Sequence, residues 1–308
     1  MAVPPVLEVT DLARRLDGAR ELRDLSFSLG AGEVMGILGP LESGKSALLR
    51  ALVGILPVRP GMVRICGLPP GEPATRRLVG YVPSSPALYE EFTCGEYLGF
   101  FAEAYGMDVH YRPYLIREAL QVVRLGGHLD TPIADLRSYG MRRRLGVARA
   151  LVHDPLLVVM DDCLARLDRT EARELVALLG DVRNMGKTLV LAASSLGELA
   201  SLCSHLCILV SHRPLACGEV GALLPKIRNL RMMQVQILDR MPEAVRRLEG
   251  HPRVFHLLQN LPNYNLLRFL FDGEAEEFQG LLETLRSAGV SIVSYAEDPS
   301  FLGNVAGP

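Results

Sequence analysis

The chain has no tryptophan, and aromatic residues make up only 6% of its 308 residues. It also lacks any apolar run of about 18 residues, the length that a membrane-spanning helix requires. Its first residues, MAVPPVLEV, contain no basic stretch followed by an apolar core, so they do not resemble a secretory signal peptide. These absences predict a soluble chain that is neither secreted nor membrane-spanning.

Neither sign of charge predominates, because 33 Lys and Arg residues stand against 35 Asp and Glu residues, for a net charge of -2. This balance indicates neither a nucleic-acid partner nor an acidic surface. Hydrophobic residues make up 49% of the chain, which is long enough for two domains with buried cores.

Cysteine is also scarce, and the six cysteines are scattered through a chain too large to need disulfides, which favours a reducing cytosol. Cys203, His205, Cys207 and His212 are close enough in sequence to suggest a metal site. No zinc-type CxxC pair is present, however, so we favour buried thiols on a helix that runs into a strand.

The segment GPLESGKS, residues 39–46, follows the apolar run 34–38 and precedes the helix-like segment 47–52. This order of strand, glycine-rich loop and helix is typical of a phosphate-binding loop. The glycines let backbone N–H groups curl around a triphosphate, while Lys45 reaches the β- and γ-phosphates and Ser46 can hold Mg²⁺. The predicted nucleotide-binding residues of this segment are Gly39, Pro40, Leu41, Glu42, Ser43, Gly44, Lys45, Ser46 and Ala47.

Glu42 is unusual within this loop, since glycine stands at its position in many such loops. Its carboxylate would lie where phosphate oxygens come close. Because like charges repel, we expect Glu42 to weaken nucleotide binding.

Around the loop, residues 6–12 and 22–29 alternate between apolar and polar, which predicts short strands at the edge of the nucleotide site. Segments 61–67 and 78–83 are predicted as two further strands. From residue 87 to about 125 the pattern is helical, and its largely aromatic stripe is interpreted as core. That stripe consists of Tyr97, Phe100, Phe101, Ala104 and Tyr105.

Another helix is predicted over residues 137–152. Its apolar face carries Met141, Leu145, Ala148 and Val152. The arginines that fall on its other faces are interpreted as solvent-exposed, and they are Arg142, Arg143 and Arg149.

A continuous apolar strand over residues 156–160 ends in Asp161 and Asp162. A buried parallel strand that ends in carboxylates, in a chain with a phosphate loop, is where a Mg²⁺ ligand and a water-positioning acid are expected. A second such strand is predicted over residues 188–192, after a helix over residues 171–185.

Five segments, in chain order, are GPLESGKS, GYVPSSPALYEEFT, LRSYGMRRRLGVARALVHDP, LLVVMDDCLARLD and GKTLVLAASSLGEL. Together they resemble the ATP-binding subunit of an ABC transporter, in particular the class that serves ABC-2-type exporters. The match covers about residues 5–222 with order and spacing preserved. The resemblance implies an α/β fold of P-loop NTPase type, with a mixed sheet and a helical subdomain at about residues 87–137.

The resemblance also implies roles for individual residues. Lys45 and Ser46 would bind phosphate and Mg²⁺, and Asp161 would be the Walker B acid that shares the Mg²⁺ ion. Asp168 would be the D-loop aspartate at the dimer interface. Ser138 and Gly140 would be what remains of the signature loop, which contacts the γ-phosphate bound to the opposing subunit.

Six positions depart from the family pattern. Leu16 stands where the pattern has an aromatic residue that stacks on adenine, Ser84 in place of the Q-loop glutamine, and Arg137 in place of the leucine before the signature serine. Tyr139 stands in place of the first signature glycine, Asp162 in place of the catalytic glutamate, and Ser194 in place of the switch histidine.

The candidate catalytic residues are therefore Asp162 and Ser194. Asp162 is one methylene shorter than glutamate, so an attacking water would be misplaced by about 1 Å, at a cost on the order of a hundredfold in rate. Ser194 can donate a hydrogen bond but cannot become a cation, so it would stabilise the γ-phosphate less well. We expect nucleotide binding to survive and turnover to suffer.

From the resemblance we expect ATP and Mg²⁺ as cofactors and an integral membrane permease as partner, with the chain on the cytoplasmic face of the cell membrane. Two ATP molecules would lie between two ATP-binding subunits, in a homodimer or in a heterodimer with a second ATP-binding subunit.

The alternative is a pseudo-ATPase that binds ATP and dimerises with a competent paralogue, whose site its Ser138 and Gly140 would complete. A soluble ABC protein of translation or DNA repair is disfavoured, since the chain has one phosphate loop and no long coiled-coil insertion.

Beyond residue 225 the composition changes, and we expect a second domain over residues 223–308 after an ATP-binding domain over 1–222. Its predicted order is βαββαβ, which is ferredoxin-like and similar to C-terminal extensions in the same transporter class. We expect regulation or dimer contact as its role. The predicted elements are strand 232–238, helix 243–248, strand 254–258, strand 266–271, helix 274–288 and strand 290–295.

Overall fold

The computed structural model describes residues 4–16, 21–40, 42–85, 87–194, 197–227, 230–261 and 265–298. The predicted phosphate-loop residue Leu41 lies outside these ranges. The chain divides into two compact units, one built from Met1–Ala193 with Glu198–Glu219 and the other from Ser194–Gly197 with Val220–Pro308. Within the described ranges, no helix is both long and apolar enough to cross a membrane.

The first unit combines two sheets with helices. Its strands are β1 (Leu7–Arg15), β2 (Glu21–Leu29), β3 (Val34–Leu38), β4 (Val63–Ile65), β5 (Val79–Val82), β6 (Leu157–Met160), β7 (Thr188–Ala193), β8 (His205–Val210) and β9 (Arg213–Glu219). Its α-helices are α1 (Lys45–Leu52), α2 (Pro73–Arg76), α3 (Cys94–Ala104), α4 (Arg112–Val122), α5 (Tyr139–Leu151) and α6 (Arg169–Asn184). Short 3₁₀ turns cover Gly126–His128, Ile133–Asp135 and Gly197–Ser201.

The larger sheet has six strands in the order β5-β6-β7-β3-β8-β9. All its pairs are parallel except β8 with β9. Every residue of β3, β6 and β7 is buried, as expected for parallel strands that are covered on both faces. Because parallel strands end at the same edge, β3 and β6 deliver Gly39 and Asp161 to one side of the sheet, where α/β proteins bind ligands.

The smaller sheet is antiparallel, in the order β2-β1-β4. Its buried leucines join β3 and α1 in one hydrophobic core, which confirms the predicted strands over 6–12 and 22–29. The strand predicted over 61–67 is shorter than expected. It ends at Ile65 because Cys66 and Gly67 turn with positive φ angles of 48° and 80°.

The prediction of one helical pattern from 87 to about 125 is wrong in its extent, since the segment forms the separate helices α3 and α4. Thr93 begins α3 with a capping box, and Gly106, at a φ of 70°, lies in the turn that follows the helix. Tyr97 is fully buried, as predicted for the aromatic stripe, but Phe100 is 50% exposed and is not core.

The second unit contains α7 (Val220–Ile227), β10 (Leu230–Ile237), α8 (Met241–Glu249), β11 (Val254–Leu261), β12 (Leu266–Asp272), α9 (Ala275–Ser287) and β13 (Ile292–Glu297). Its antiparallel sheet has the order β11-β12-β10-β13, which together with the βαββαβ succession is ferredoxin-like, as predicted. Phe269, Phe271 and Phe278 lie in its own hydrophobic core.

Candidate functional site

The phosphate loop connects the end of β3 to the start of α1. Gly44, at a φ of 99°, precedes the helix, and a Cβ atom there would lie 2.8 Å from the ring of His212. A Cβ atom on Gly39 would lie 2.2 Å from the carbonyl oxygen of Leu209. Both glycines are therefore required by the close approach of the β8–β9 hairpin, which also donates the His212 N–H to the Ser43 carbonyl at 3.0 Å.

Lys45 is buried at the start of α1 and folds back over the loop. Its Nζ atom donates to the carbonyl oxygens of Gly39 at 2.6 Å and of Pro40 at 2.9 Å. Burial lowers the pKa of Lys45, while the charges of Asp162 and Asp161 act in the opposite direction. The ammonium group thus lies at the loop between backbone carbonyls and the two acids.

Asp161 lies at the end of β6 and is only 1% exposed. Its Oδ1 atom accepts a hydrogen bond from the Ser46 hydroxyl at 3.1 Å, which brings the predicted Mg²⁺ ligands together. Its Oδ2 atom is buried without a hydrogen-bond partner among the described residues, and burial raises the pKa of this carboxyl. A hydroxyl and a carboxylate with a spare buried oxygen fit Mg²⁺, which prefers oxygen ligands.

Asp162 follows directly, with a positive φ of 49°, and is half-buried. Its carbonyl accepts a hydrogen bond from the Ala165 N–H at 3.1 Å as the chain turns toward α6. Glu42, on the phosphate loop, is exposed and also has a positive φ, of 63°. Glu42 thus occupies backbone space that favours glycine, at the position where many such loops have one.

The predicted signature and D-loop residues lie at two neighbouring helix starts. Ser138 caps α5 by accepting from the Met141 N–H at 3.1 Å, and Asp168 caps α6. Glu171 joins the two, because its carboxylate accepts from the Gly140 N–H at 3.1 Å while its own N–H donates to Asp168 at 2.8 Å. A Cβ atom on Gly140 would lie 2.7 Å from that carboxylate, so a side chain there would displace the carboxylate of Glu171.

The interpretation of the α5 arginines as a solvent-exposed face is wrong for Arg143, which is fully buried. It is also wrong for Arg149, which is half-buried and donates to the Tyr81 carbonyl at 2.9 Å. Arg142 is half-buried and pairs with Glu90 at 2.5 Å. The terminal nitrogens of these long side chains bond to carbonyls and a carboxylate around α5, which lowers the cost of their burial. The Nε atom of Arg143 has no hydrogen-bond partner among the described residues.

Three other residues of the sequence prediction are Leu16, Ala47 and Ser194. Leu16 is half-buried and packs against the first unit's core, so its aliphatic side chain offers no ring to an adenine. Ala47 is half-buried in the first turn of α1. Ser194 is exposed and belongs to the second compact unit, directly after β7.

Neither Arg143 nor Glu171 was predicted to belong to the site. The signal for Arg143 is its helical spacing, since it shares a face with the buried residues Gly140, Val147 and Ala150. The signal for Glu171 is its place three residues after Asp168, the spacing of a capping box.

The cysteines near His205 lie in the first unit, outside this site. Cys203 and Cys207 are buried, as predicted, although the 3₁₀ turn Gly197–Ser201 ends before either of them. Among the residues that the structure describes, no group of three or more metal-ligating side chains comes together.

The strands of a mainly parallel, buried sheet deliver a glycine-rich loop with a lysine, and a carboxylate, to one edge. This is the arrangement of a P-loop nucleotide-binding protein. Comparison with known proteins narrows this class. Residues 22–165 match the family described as ABC transporter.

Several curated relatives are ATP-binding proteins of this family. Nod factor export ATP-binding protein I of Rhizobium johnstonii is 34% identical over 224 residues, which cover 72% of this chain and 71% of the relative. The protein of the same name from Bradyrhizobium sp. is 34% identical over 259 residues, covering 80% and 84%. The chain therefore belongs to the ABC transporter family of ATP-binding proteins, whose nucleotide domains bind ATP, typically with Mg²⁺.

Solved structures show the same fold. The ATP-binding subunit of an ABC transporter is 27% identical, with a TM-score of 0.63, over 72% of this chain and 93% of that chain. CbiO1 from Clostridium perfringens, part of the ABC transporter complex cbiONQ, is 22% identical, with a TM-score of 0.66, over 72% and 91%. At that identity the second likeness supports the fold alone.

Proposed function

We propose that the chain is the ATP-hydrolysing subunit of an exporter, bound to a separate integral membrane permease at the cytoplasmic face of the cell membrane. The observation that carries this proposal is the meeting of Lys45, Ser46 and Asp161 at one edge of the sheet. The export role is supported by relatives that are named as Nod factor export proteins.

The phosphate loop would hold the triphosphate. Backbone N–H groups of the loop and the positive end of α1 would face the phosphate oxygens, and the Lys45 ammonium group would exchange its carbonyl acceptors for them. Ser46 and Asp161 would hold Mg²⁺, which offsets negative charge on the phosphates.

Hydrolysis would depend on the two candidate catalytic residues. The carboxylate of Asp162 would accept a proton from the attacking water and orient it, and the Ser194 hydroxyl would donate a hydrogen bond to the γ-phosphate. Both side chains are weaker versions of the family's residues, so we expect slow turnover.

The signature residues would serve a second subunit. Ser138 and Gly140 lie at the positive start of α5, next to the Asp168 cap of α6, and would contact ATP bound to the opposing subunit. That subunit would be a second copy or a different ATP-binding chain. We assign residues 1–222 to the ATP-binding domain and residues 223–308 to an accessory domain for regulation or dimer contact.

A second candidate function is that of a pseudo-ATPase that binds ATP within a heterodimer. The carboxylate of Glu42 and the serine at position 194 favour it, because both would weaken the chain's own site while the α5 start is retained.

The test measures ATP affinity by calorimetry and steady-state phosphate release on the purified chain, each beside Lys45→Ala. Binding that is lost in Lys45→Ala, together with release above the variant's background, would support the ATPase and exclude the pseudo-ATPase. Binding without release would favour the second candidate. Loss of both in the wild-type chain would refute nucleotide binding.

A further inference from the structure

Arg143 is a charged side chain with no exposure to solvent, in the second turn of α5. Its guanidinium group donates to four backbone carbonyls in two separate segments. The acceptors are Pro83 at 2.6 Å, Ser84 at 2.9 Å, Asp162 at 2.9 Å, and Asp161. The two terminal nitrogens make these four bonds, whereas the Nε atom is buried without a hydrogen-bond partner among the described residues. Because a buried charge is costly without hydrogen bonds, the four bonds hold the two segments relative to each other.

Tyr139 lies one helical turn before Arg143 and reaches the same segment. Its hydroxyl donates to the Ser84 carbonyl at 3.3 Å, and its ring lies 5.9 Å from the guanidinium carbon of Arg166. Residues four apart share a helix face, which explains why both side chains meet at Ser84. We call Tyr139 and Arg143 the α5 clamp.

The clamp acts on the backbone of the two acids. Asp162 has a positive φ, which is unfavourable for a residue with a side chain and requires support from its surroundings. Arg143 provides that support by holding the carbonyls of Asp161 and Asp162. A shift of about 1 Å in a catalytic carboxylate is enough to lower a rate on the order of a hundredfold.

We propose that Tyr139 and Arg143 are positioning residues, which set the Asp161–Asp162 pair against the loop at Ser84 by binding backbone carbonyls. The inference rests on the proposed ATPase function. It gives Tyr139 a role within its own subunit, at the position where the family pattern has the first signature glycine. It also makes the backbone of Ser84, rather than its side chain, the group that is held.

The experiment compares Tyr139→Phe and Arg143→Lys with wild type and with Arg144→Lys. Tyr139→Phe keeps the ring beside Arg166 and removes only the hydroxyl. Lysine keeps the charge of Arg143 but has a single nitrogen, which cannot span four carbonyls. Arg144 is the matched control, because its only ion pair among the described residues is with Glu174 at 3.9 Å, away from the clamp.

For each chain we would measure kcat and KM for Mg-ATP, ATP affinity with and without Mg²⁺ by calorimetry, and the melting temperature. We expect kcat to fall about tenfold or more in Arg143→Lys and about threefold in Tyr139→Phe, because the acids lose their alignment. KM and the Mg²⁺-free ATP affinity should stay within about twofold of wild type, since the phosphate loop is untouched. Arg144→Lys should match wild type.

The proposal would be overturned if kcat were unchanged in both variants, or if the affinity for ATP without Mg²⁺ fell by the same factor as kcat. A merely structural role predicts one or the other of these results. If Arg143→Lys does not fold, Tyr139→Phe decides. If wild type releases no more phosphate than Lys45→Ala, the proposed ATPase function is refuted. The positioning role of the clamp is then tested by the increase in ATP affinity that Mg²⁺ produces. That gain should fall at least about threefold in the clamp variants, and an unchanged gain would overturn the clamp.

Discussion

Lys45 is buried, but its ammonium group donates to the carbonyls of Gly39 and Pro40 and lies near two carboxylates. Buried charges are tolerated when they are paired in this way. We expect the oxygens of a triphosphate to replace the two carbonyls as acceptors. The lysine would then exchange partners without an intermediate state in which its buried charge has none.

Glu42 is a second residue of the phosphate loop, and we expect its replacement to change the affinity for ATP. Its positive φ strains the backbone by about 1 kcal/mol, and its carboxylate adds negative charge to the phosphate loop. We expect Glu42→Gly to tighten ATP binding about fivefold by calorimetry and to keep or slightly raise the melting temperature.

Glu42→Gln is the matched control, because it removes the charge and keeps the positive φ. If charge dominates, both variants bind ATP more tightly, and the effect shrinks at high salt. Equal or weaker binding by both variants would contradict the prediction.

At the scale of elements, the junction between α5 and β6 contains a titratable side chain. The ring of His153 stacks on Tyr105 at a centroid distance of 3.7 Å, and its Nε2 atom lies 3.1 Å from the Val79 carbonyl oxygen. Burial lowers the pKa of His153 to about 4, although the Val79 hydrogen bond and Asp154 act in the opposite direction. The folded chain therefore favours the neutral imidazole.

This shift predicts a loss of stability in acid. The unfolded chain binds a proton near pH 6.5, and the folded chain only near pH 4, so stability should fall as pH decreases between these values. Urea unfolding at pH 7 and pH 4.5 should show a loss from this group of roughly 2 to 3 kcal/mol.

His153→Gln is the control, because it can still donate to Val79 but does not titrate. Its stability should depend less on pH than that of wild type. Parallel pH profiles for the two chains would contradict the assignment.

At the scale of the whole molecule, the described residues include two separate hydrophobic cores. One gathers buried residues between Val6 and Leu209, and the other gathers buried residues between Met233 and Val290. Because each unit buries its own apolar side chains, we expect residues 1–222 to fold without the rest of the chain.

The shortened chain should melt cooperatively and bind Mg-ATP within about threefold of the full chain, with Lys45→Ala in the same background as the blank. Aggregation, or loss of ATP binding by a folded fragment, would show that the C-terminal residues are needed for the nucleotide site.

Much of this architecture was open to prediction. The strand, glycine loop and helix around Lys45, and the apolar strand that ends in Asp161, are contiguous patterns with a fixed spacing. The βαββαβ order of the second unit was predicted for the same reason. The sequence by itself therefore determined the class of fold and the family, and it predicts Ser46 and Asp161 as the Mg²⁺ ligands.

Tertiary structure decided what depends on contacts between distant segments. Arg143 looked like a surface arginine because neighbours along a helix do not show which face is covered, and its carbonyl partners lie 18 to 60 residues away. The approach of His212 to Gly44 likewise follows from the β8–β9 hairpin packing against the loop. Burial of this kind is set by the packing of whole elements, and a local pattern such as the spacing of Arg143 with Val147 and Ala150 does not identify the partners.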